Sequence, residues 1–137
     1  MATSSKNSDF QIMVVEDQKD QSRMISYILK VHEYRVMSAV DGERALELIH
    51  SGVRPDLLIT DVIMPVLDGV ALIKEVRRLK MNLPIVVMSS KEKTSELSKS
   101  NQLGEVEYLV KPFAPIDLLN HIEKILASKN SKLKAAK

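Results

Sequence analysis

The sequence contains no cysteine and no tryptophan, and its only aromatic residues are three tyrosines and two phenylalanines. The absence of cysteine excludes disulfide bonds and thiol chemistry, although it leaves the cellular compartment open. No apolar run approaches the ~20 residues that a membrane-spanning helix requires, and the first residues lack the apolar core of a signal peptide. We therefore predict a cytoplasmic protein that does not insert into a membrane.

The sequence also lacks a large excess of either charge, because 20 lysines and arginines stand against 18 aspartates and glutamates, for a formal net charge of +2. Such a balance gives no support to direct nucleic-acid binding. The 137 residues, 45% of them hydrophobic, suit one domain with its own core. We expect a disordered polar segment over residues 1–8, the folded domain over residues 9–127, and a lysine-rich C-terminal tail over residues 128–137.

Four short apolar runs each end at a residue suited to phosphate chemistry. Runs of this kind, flanked by helical patterns, are typical of parallel strands that are buried on both faces. Ligands bind beyond the carboxyl ends of such strands, so we expect the four endings to share one edge of a sheet. Three carboxylates, one hydroxyl and one ammonium would gather there, as a divalent cation and a phosphoryl group require. The runs at 12–15, 57–59, 85–88 and 108–110 lead to Glu16 and Asp17, Asp61, Ser89 and Lys111, respectively.

Strands and helical patterns alternate along the rest of the chain. A further strand at 35–39 gives five strands joined by helices, the arrangement of βα units that build a parallel sheet. Asp41 is placed to cap the second helix and Pro115 to begin the fifth. The fourth helix, within residues 93–103, has only two large apolar residues and four serine or threonine residues. We therefore predict that this helix is loosely held.

Five short motifs follow one another along the chain: Glu16-Asp17, Asp61-Val62-Ile63-Met64-Pro65, Asp68-Gly69, Ser89 and Lys111-Pro112-Phe113. In their order and contexts they resemble a response-regulator receiver domain of the single-domain, chemotaxis-regulator type. The resemblance covers about residues 9–127. It implies an α/β, flavodoxin-like (βα)5 fold, which is a doubly wound parallel sheet with strand order 2-1-3-4-5 and helices on both faces. It also implies a cis peptide bond before Pro112.

The resemblance implies a Mg²⁺ cofactor at the acidic end of the sheet. Its ligands would be Asp17 and Asp61 directly, Glu16 directly or through water, and the backbone carbonyl of Ile63. Mg²⁺ suits such a site because it takes oxygen ligands octahedrally and keeps several waters. Three converging carboxylates repel one another, so at least one pKa should rise when the cation is absent. The alternative is that Glu16 and Asp17 only cap the first helix.

Asp61 is the expected phosphoacceptor, because a carboxylate can attack phosphorus to form an acyl phosphate when the charge is neutralised. Lys111 would contact this carboxylate and then the phosphoryl oxygens, while Ser89 would donate its hydroxyl to another oxygen. The alternative for Lys111 is a solvated surface lysine. The phosphoryl donor would be a histidine kinase or a histidine phosphotransfer protein. The domain would assist its own phosphorylation and dephosphorylation without being an enzyme.

The resemblance also implies a switch formed by Ser89 and Tyr108. On phosphorylation Tyr108 would become buried, and a face made of the fourth helix, fifth strand and fifth helix would bind an unknown downstream protein. Alternatively, Tyr108 only packs at the edge of the sheet. Ile63 and Lys91 occupy the positions that modulate the lifetime of the acyl phosphate, and since neither is a base toward water, we expect slow self-hydrolysis. The domain would be a monomer or a phosphorylation-linked dimer.

Other functions fit parts of the pattern. A phosphohydrolase with an aspartate nucleophile requires a second aspartate two residues later, where this chain has Ile63. A flavin carrier would share the fold, but the few aromatic residues leave little to sandwich a flavin. A receiver domain could also bind partners irrespective of phosphorylation, or be the receiver part of a longer regulator. His32, His50 and His121 form no metal-ligand grouping in the sequence, and we expect them at the surface.

Overall fold

A computed structural model of the chain describes residues 6–135. Within these residues five strands alternate with five helices, as the sequence pattern predicts, and a short 3-10 turn precedes them. The strands are β1 (Gln11–Val15), β2 (Arg35–Ala39), β3 (Leu57–Asp61), β4 (Ile85–Ser89) and β5 (Glu107–Val110). The helices are α1 (Lys19–Val31), α2 (Gly42–His50), α3 (Gly69–Arg78), α4 (Lys91–Ser100) and α5 (Pro115–Ala135).

The strands form one parallel sheet in the order β2-β1-β3-β4-β5, which confirms the predicted flavodoxin-like arrangement. The register aligns Val15 with Thr60 across β1 and β3, and Ser89 with Val110 across β4 and β5. The carboxyl ends of these four strands are therefore level at a single edge. Residues that end or follow them meet there.

Helices cover both faces of the sheet, and alternate residues of each strand point to opposite faces. On β1, Met13 and Val15 belong to the core cluster under α2, α3 and α4, whereas Ile12 and Val14 belong to the cluster under α1 and α5. All four side chains are fully buried. A continuous apolar run therefore serves both faces, as expected for a parallel sheet covered by helices on each side.

Side chains cap three helices that begin near the carboxyl edge of the sheet. Asp41 Oδ1 accepts a hydrogen bond from the amide of Arg44 at 2.8 Å, which confirms the predicted cap of α2. Asp68 caps α3 and Ser90 caps α4 in the same way. These caps satisfy amides that the first helical turn leaves unpaired, and they fix where each helix begins relative to the sheet.

The fourth helix has little apolar contact with the rest of the domain. Leu97 is the buried residue within α4, and Leu103 is buried shortly after the helix ends. The turn between them is made at Asn101, whose backbone is left-handed with φ of 52°. These two leucines are the apolar anchors that the sequence offers, so the predicted looseness of α4 has a structural basis and stays a prediction.

The beginning of the chain departs from the predicted boundary. Asn7–Asp9 form a 3-10 turn, the Asn7 side chain donates to the carbonyl of His32 at 2.7 Å, and Arg35 Nε donates to the carbonyl of Ser8 at 2.8 Å. The predicted disorder of residues 1–8 is therefore wrong at its C-terminal end, because this turn is tied to β2 and to the end of α1. Residues 1–5 lie outside the described part of the chain.

The end of the chain also differs from the expectation. Helix α5 continues to Ala135, through most of the segment 128–137 that was predicted to be a tail. The physical reason is that this segment contains no proline or glycine and is rich in lysine and alanine, which favour helices. Among residues 6–135, no helix combines the length and the apolar character needed to cross a membrane.

Candidate functional site

Residues from four strand ends meet at the carboxyl edge of the sheet. Asp61 ends β3 and Ser89 ends β4, while Glu16 follows β1 and Lys111 follows β5. The ammonium of Lys111 donates a hydrogen bond to Asp61 Oδ2 and another to Glu16 Oε1 at 3.3 Å. It also donates to Oε1 of Gln21, in the first turn of α1, at 2.9 Å. Lys111 thus joins the predicted phosphoacceptor to an acidic residue from a neighbouring strand.

The ammonium of Lys111 is held in its charged form. Burial alone would lower the pKa of Lys111, but the hydrogen bond and negative charge of Asp61, together with those of Glu16, outweigh burial and raise it. A lysine with a raised pKa keeps its proton at neutral pH. Only 24% of the Lys111 side chain is exposed, so the alternative of a merely solvated surface lysine is excluded.

Glu16 is almost completely buried, with 1% of its surface exposed. Its Oε1 faces Lys111, and its Oε2 accepts a hydrogen bond from the backbone amide of Gln18 at 3.1 Å. Burial raises the pKa of Glu16 and the charge of Asp61 adds to the rise, whereas the Gln18 amide and Lys111 oppose it. A carboxylate pKa therefore rises as predicted, but burial contributes more to the rise than repulsion between carboxylates.

Asp61 is positioned by the backbone around it. Its Oδ1 accepts a hydrogen bond from the amide of Ile63 at 3.2 Å, while Oδ2 is held by Lys111. On the other side, a Cβ atom at Gly69 would lie 2.2 Å from the Asp61 carbonyl oxygen, and the Gly69 amide donates to the carbonyl of Val62 at 2.8 Å. The start of α3 therefore packs directly on the Asp61 loop, and glycine permits this close approach.

Ser89 lies beside this group but its hydroxyl is engaged elsewhere. The residue is 4% exposed, and its Oγ is hydrogen-bonded to Oγ1 of Thr94 on α4. The same Oγ lies 3.4 Å from the carbonyl oxygen of Ser90. The predicted hydroxyl donor is therefore in place at the strand end, with a partner on the neighbouring helix.

A cleft of about 300 Å³ opens at these residues. It has room for a small cation with its waters and a phosphoryl group, since one water occupies about 30 Å³ in the liquid. A larger groove, of about 800 Å³, lies at the opposite edge of the sheet beside Pro84 and Glu107, and none of the predicted site residues lines it. The cleft is lined by Asp17, Gln18, Asp61, Val62, Ile63, Ser89, Ser90, Lys93 and Lys111.

Comparison with known proteins places this arrangement in a family. The family described as the response regulator receiver domain matches residues 12–123. The chain belongs to this family. Receiver domains are the phosphoacceptor signalling domains of two-component response regulators, they interact with histidine kinases, and they generally depend on Mg²⁺.

Individual relatives agree with the assignment. The chain is similar to the alkaline phosphatase synthesis transcriptional regulatory protein PhoP of Bacillus subtilis (33% identity over 84% of this chain and 48% of that protein). It is also similar to response regulator MprA of Mycobacterium ulcerans (37% identity over 84% of this chain and 49% of that protein). The chain thus spans about half the length of these curated relatives.

Solved structures of receiver domains have the same fold. The chain is similar to the chemotaxis response regulator CheY4 of Vibrio cholerae, with 30% identity and a TM-score of 0.77 over 85% of this chain and 98% of that one. It is also similar to the receiver domain of the Francisella response regulator 1452, with 27% identity and a TM-score of 0.80 over 88% of this chain and 98% of that one. The predicted resemblance to a receiver domain is confirmed, and the single-domain chemotaxis type stays a prediction.

The cleft of this receiver domain has donor groups that suit a magnesium ion. Asp17 and Asp61 line the cleft, and Ile63 lies beside them. Two carboxylates, a carbonyl and waters are a suitable donor set for Mg²⁺. Across residues 6–135, however, no three His, Cys, Asp or Glu side chains form a metal-binding group. Glu16 is not among the residues that line the cleft, and its two oxygens accept hydrogen bonds from Lys111 and from the backbone amide of Gln18.

The remaining predicted positions are found as follows. The peptide bond between Lys111 and Pro112 is cis, as predicted. Tyr108 is half-buried and packs against the core cluster under α4, and burial raises the pKa of its hydroxyl. Ile63 is 74% exposed at the cleft. Lys91, the first residue of α4, is exposed and is not among the residues that line the cleft.

Several residues that contact or line the site were not predicted from the sequence, among them Gln21, Thr94 and Lys93. Gln21 bonds to Lys111, Thr94 bonds to Ser89, and Lys93 lines the cleft. All three lie near the start of α1 or α4, which begin just after β1 and β4 and therefore at the same edge as the strand ends. The signal that could have found them is a polar side chain within about one turn of such a helix start.

Proposed function

We propose that this receiver domain accepts a phosphoryl group on Asp61 from a phosphohistidine of a histidine kinase or a histidine phosphotransfer protein. A carboxylate oxygen of Asp61 attacks phosphorus, the phosphorus–nitrogen bond breaks, and its electron pair returns to the imidazole nitrogen. The product is an acyl phosphate on Asp61. The observation that carries the proposal is the ammonium of Lys111, held against Asp61 at the mouth of a cleft of suitable size.

Lys111 contributes by charge rather than by proton transfer. Before the reaction it neutralises Asp61, and during the reaction it remains beside the oxygens on which negative charge accumulates. Glu16 and Gln21 hold the ammonium in this position, because both accept hydrogen bonds from it. A charged group that is held in place before the reaction does not have to reorganise in the transition state. Such preorganised charge and positioning are the main source of catalysis in phosphoryl transfer.

Asp17, Asp61 and the carbonyl of Ile63 would hold the magnesium ion, and Glu16, of the two roles expected for it, would act through water rather than directly. Bound there, Mg²⁺ would offset the charge of the phosphoryl oxygens. Ser89 would donate its hydroxyl to one of these oxygens, and its place on the wall of the cleft supports this role. Ile63, which is exposed at the cleft, would shield the acyl phosphate and contribute to slow self-hydrolysis.

The output of the domain would be a change in the face formed by α4, β5 and α5, read by a downstream protein. The half-buried state of Tyr108 and the few apolar anchors of α4 support a switch at this face, because both leave room for rearrangement. A cytoplasmic location, the absence of direct nucleic-acid binding by this domain, and a monomer or phosphorylation-linked dimer remain part of the proposal. A second candidate is the same chemistry within a longer regulator, as the half-length match to PhoP suggests.

Intact-mass measurement after incubation with acetyl phosphate and Mg²⁺ tests the phosphoacceptor role. We expect the wild type to gain one HPO₃, about 80 Da. Asp61→Asn should gain nothing, whereas Asp20→Asn, a matched change at an exposed residue of α1, should react as the wild type does. Equal gain of mass by the wild type and by Asp61→Asn would show that Asp61 is not the acceptor.

A further inference from the structure

We infer that Thr94 is a positioning residue that holds the Ser89 hydroxyl toward α4 until Asp61 is phosphorylated, and so transmits the modification to α4. The inference deepens the proposed function and rests on it. The observation that supports the inference is the hydrogen bond between Ser89 Oγ, at the end of β4, and Thr94 Oγ1, in the first turn of α4. Of these two residues, only Ser89 lines the cleft beside the phosphoacceptor.

The hydroxyl of Ser89 is directed to α4, through a hydrogen bond with Thr94 in which either oxygen can be the donor. A serine hydroxyl has one proton to donate, and its oxygen moves between staggered positions by rotation about the Cα–Cβ bond. Ser89 is 4% exposed, so water does not readily replace a partner that it loses. When the hydroxyl turns to donate to a phosphoryl oxygen in the cleft, we expect this rotation to carry Ser89 Oγ away from Thr94.

The bond to Thr94 matters for α4 because this helix has few other attachments to the sheet. Within residues 6–135 it is the only hydrogen bond found between a side chain of α4 and a strand. The hydroxyls of Ser98 and Ser100 bond to carbonyls of α4 itself, and the cap from Ser90 joins the helix to its own preceding residue. Leu97, one turn beyond Thr94, is the buried apolar side chain of the helix.

Loss of the Ser89–Thr94 bond would therefore loosen the first turns of α4, on the face that the proposed function assigns to the downstream partner. The hydrogen bond between Ser89 and Thr94 would thus be a second way in which phosphorylation of Asp61 changes this face, besides the movement of Tyr108. It differs from that movement because it acts through a direct hydrogen bond to the helix. Since the bond exists before phosphorylation, its removal by mutation should imitate part of the phosphorylated state.

Hydrogen exchange of the α4 amides in the full chain tests this inference, with acetyl phosphate and Mg²⁺ as the phosphorylating reagents. In the unphosphorylated protein, Thr94→Val should speed exchange in α4 by roughly two- to thirteenfold, the factor that corresponds to one ordinary hydrogen bond. Valine keeps the branched shape and removes the hydroxyl. Thr94→Ser, which keeps a hydroxyl, should restore wild-type exchange, and Ser98→Ala, which loses a bond within the helix only, is the matched control.

Phosphorylation should speed α4 exchange in the wild type and in Thr94→Ser, and should add little in Thr94→Val. The inference is overturned if Thr94→Val responds to phosphorylation as the wild type does, or if wild-type α4 does not respond although the mass of one HPO₃ is gained. If the wild type gains no mass, the proposed function fails and the inference fails with it. The mass measurement on each sample separates these results, because it reports phosphorylation independently of exchange.

Discussion

Replacing Lys111 by methionine removes the ammonium that Asp61 and Glu16 share while it keeps a side chain of similar length. Removal of one partner from a buried ion pair costs about 3–5 kcal/mol, because the remaining charge is left without compensation. Lys111 is 24% exposed, and water screens part of this effect. We therefore expect the free energy of unfolding to fall by about 2–3 kcal/mol at pH 7.

The loss should depend on pH because the charge of Glu16, which is buried, is left without its partner. In the variant the pKa of Glu16 should rise further, since burial still raises it and Lys111 no longer opposes the rise. A carboxyl group whose pKa is higher in the folded than in the unfolded protein binds more protons when folded, so stability falls as pH increases. This penalty begins above the unfolded value of 4.5 and is complete above the raised folded pKa. The deficit of the variant should therefore be smaller at pH 4.5 than at pH 7.

Urea unfolding followed by circular dichroism, at both pH values and without Mg²⁺, measures this deficit. Lys99→Met, a matched change at an exposed residue of α4, should alter stability by no more than about 0.5 kcal/mol. Adding Glu16→Gln to Lys111→Met should recover about 1 kcal/mol or more at pH 7, because the uncompensated buried charge disappears. An equal deficit at pH 4.5 and pH 7, or no recovery in the double variant, would refute the electrostatic reasoning.

Three further predictions follow from the geometry of the cleft and its helices. Amides of α4 should exchange with solvent faster than those of α3, and equal protection in hydrogen-exchange measurements would contradict the looseness of α4. Gly69→Ala should destabilise the domain by about 1–3 kcal/mol in urea unfolding, because its Cβ would lie 2.2 Å from the Asp61 carbonyl oxygen. Lys93→Ala should slow phosphorylation by acetyl phosphate about two- to fivefold, because Lys93 lines the cleft. Lys91→Ala should not slow it, because Lys91 is not among the lining residues. A slower reaction in Lys91→Ala than in Lys93→Ala would show that Lys91 is the modulating lysine.

The fold and the strand-end residues could be predicted because they depend on short-range pattern. A run such as 12–15 is apolar at every position only if both faces of its strand are covered, and this marks a parallel sheet. Once the sheet is parallel, the residues that end or follow its strands share an edge whatever the helices do. Asp61, Ser89 and Lys111 are therefore at the site for a reason that is visible in the sequence.

The orientation of side chains around that edge could not be predicted in the same way. Glu16 precedes Asp17 and both are acidic, yet Glu16 is buried against Lys111 while Asp17 faces the cleft. Neighbouring side chains of an extended chain point to opposite sides, and the residue types do not indicate which of the two faces inward. Likewise, Lys93 rather than Lys91 lines the cleft because of the rotational position of α4, which the Ser90 cap and the packing of the helix determine.

Asp17 lines the cleft whereas Glu16 is bonded to Lys111, and this difference leads to a prediction about magnesium binding by the unphosphorylated protein. A ligand that binds only the folded state stabilises it by RT ln(1 + [L]/Kd), which is about 1.4 kcal/mol at ten times Kd. Mg²⁺ should therefore raise the free energy of unfolding of the wild type, and Asp17→Asn should remove most of this gain because Asp17 lines the cleft. Glu16→Gln should keep most of the gain, since the oxygens of Glu16 are directed to Lys111 and the Gln18 amide.

Urea unfolding in a series of Mg²⁺ concentrations, in Ca²⁺-free buffer, measures the gain in stability of both variants. Asp20→Asn is the control for loss of one exposed carboxylate. If Glu16→Gln loses the gain as fully as Asp17→Asn does, Glu16 is a direct ligand, and its present bond to Lys111 must break when the cation binds.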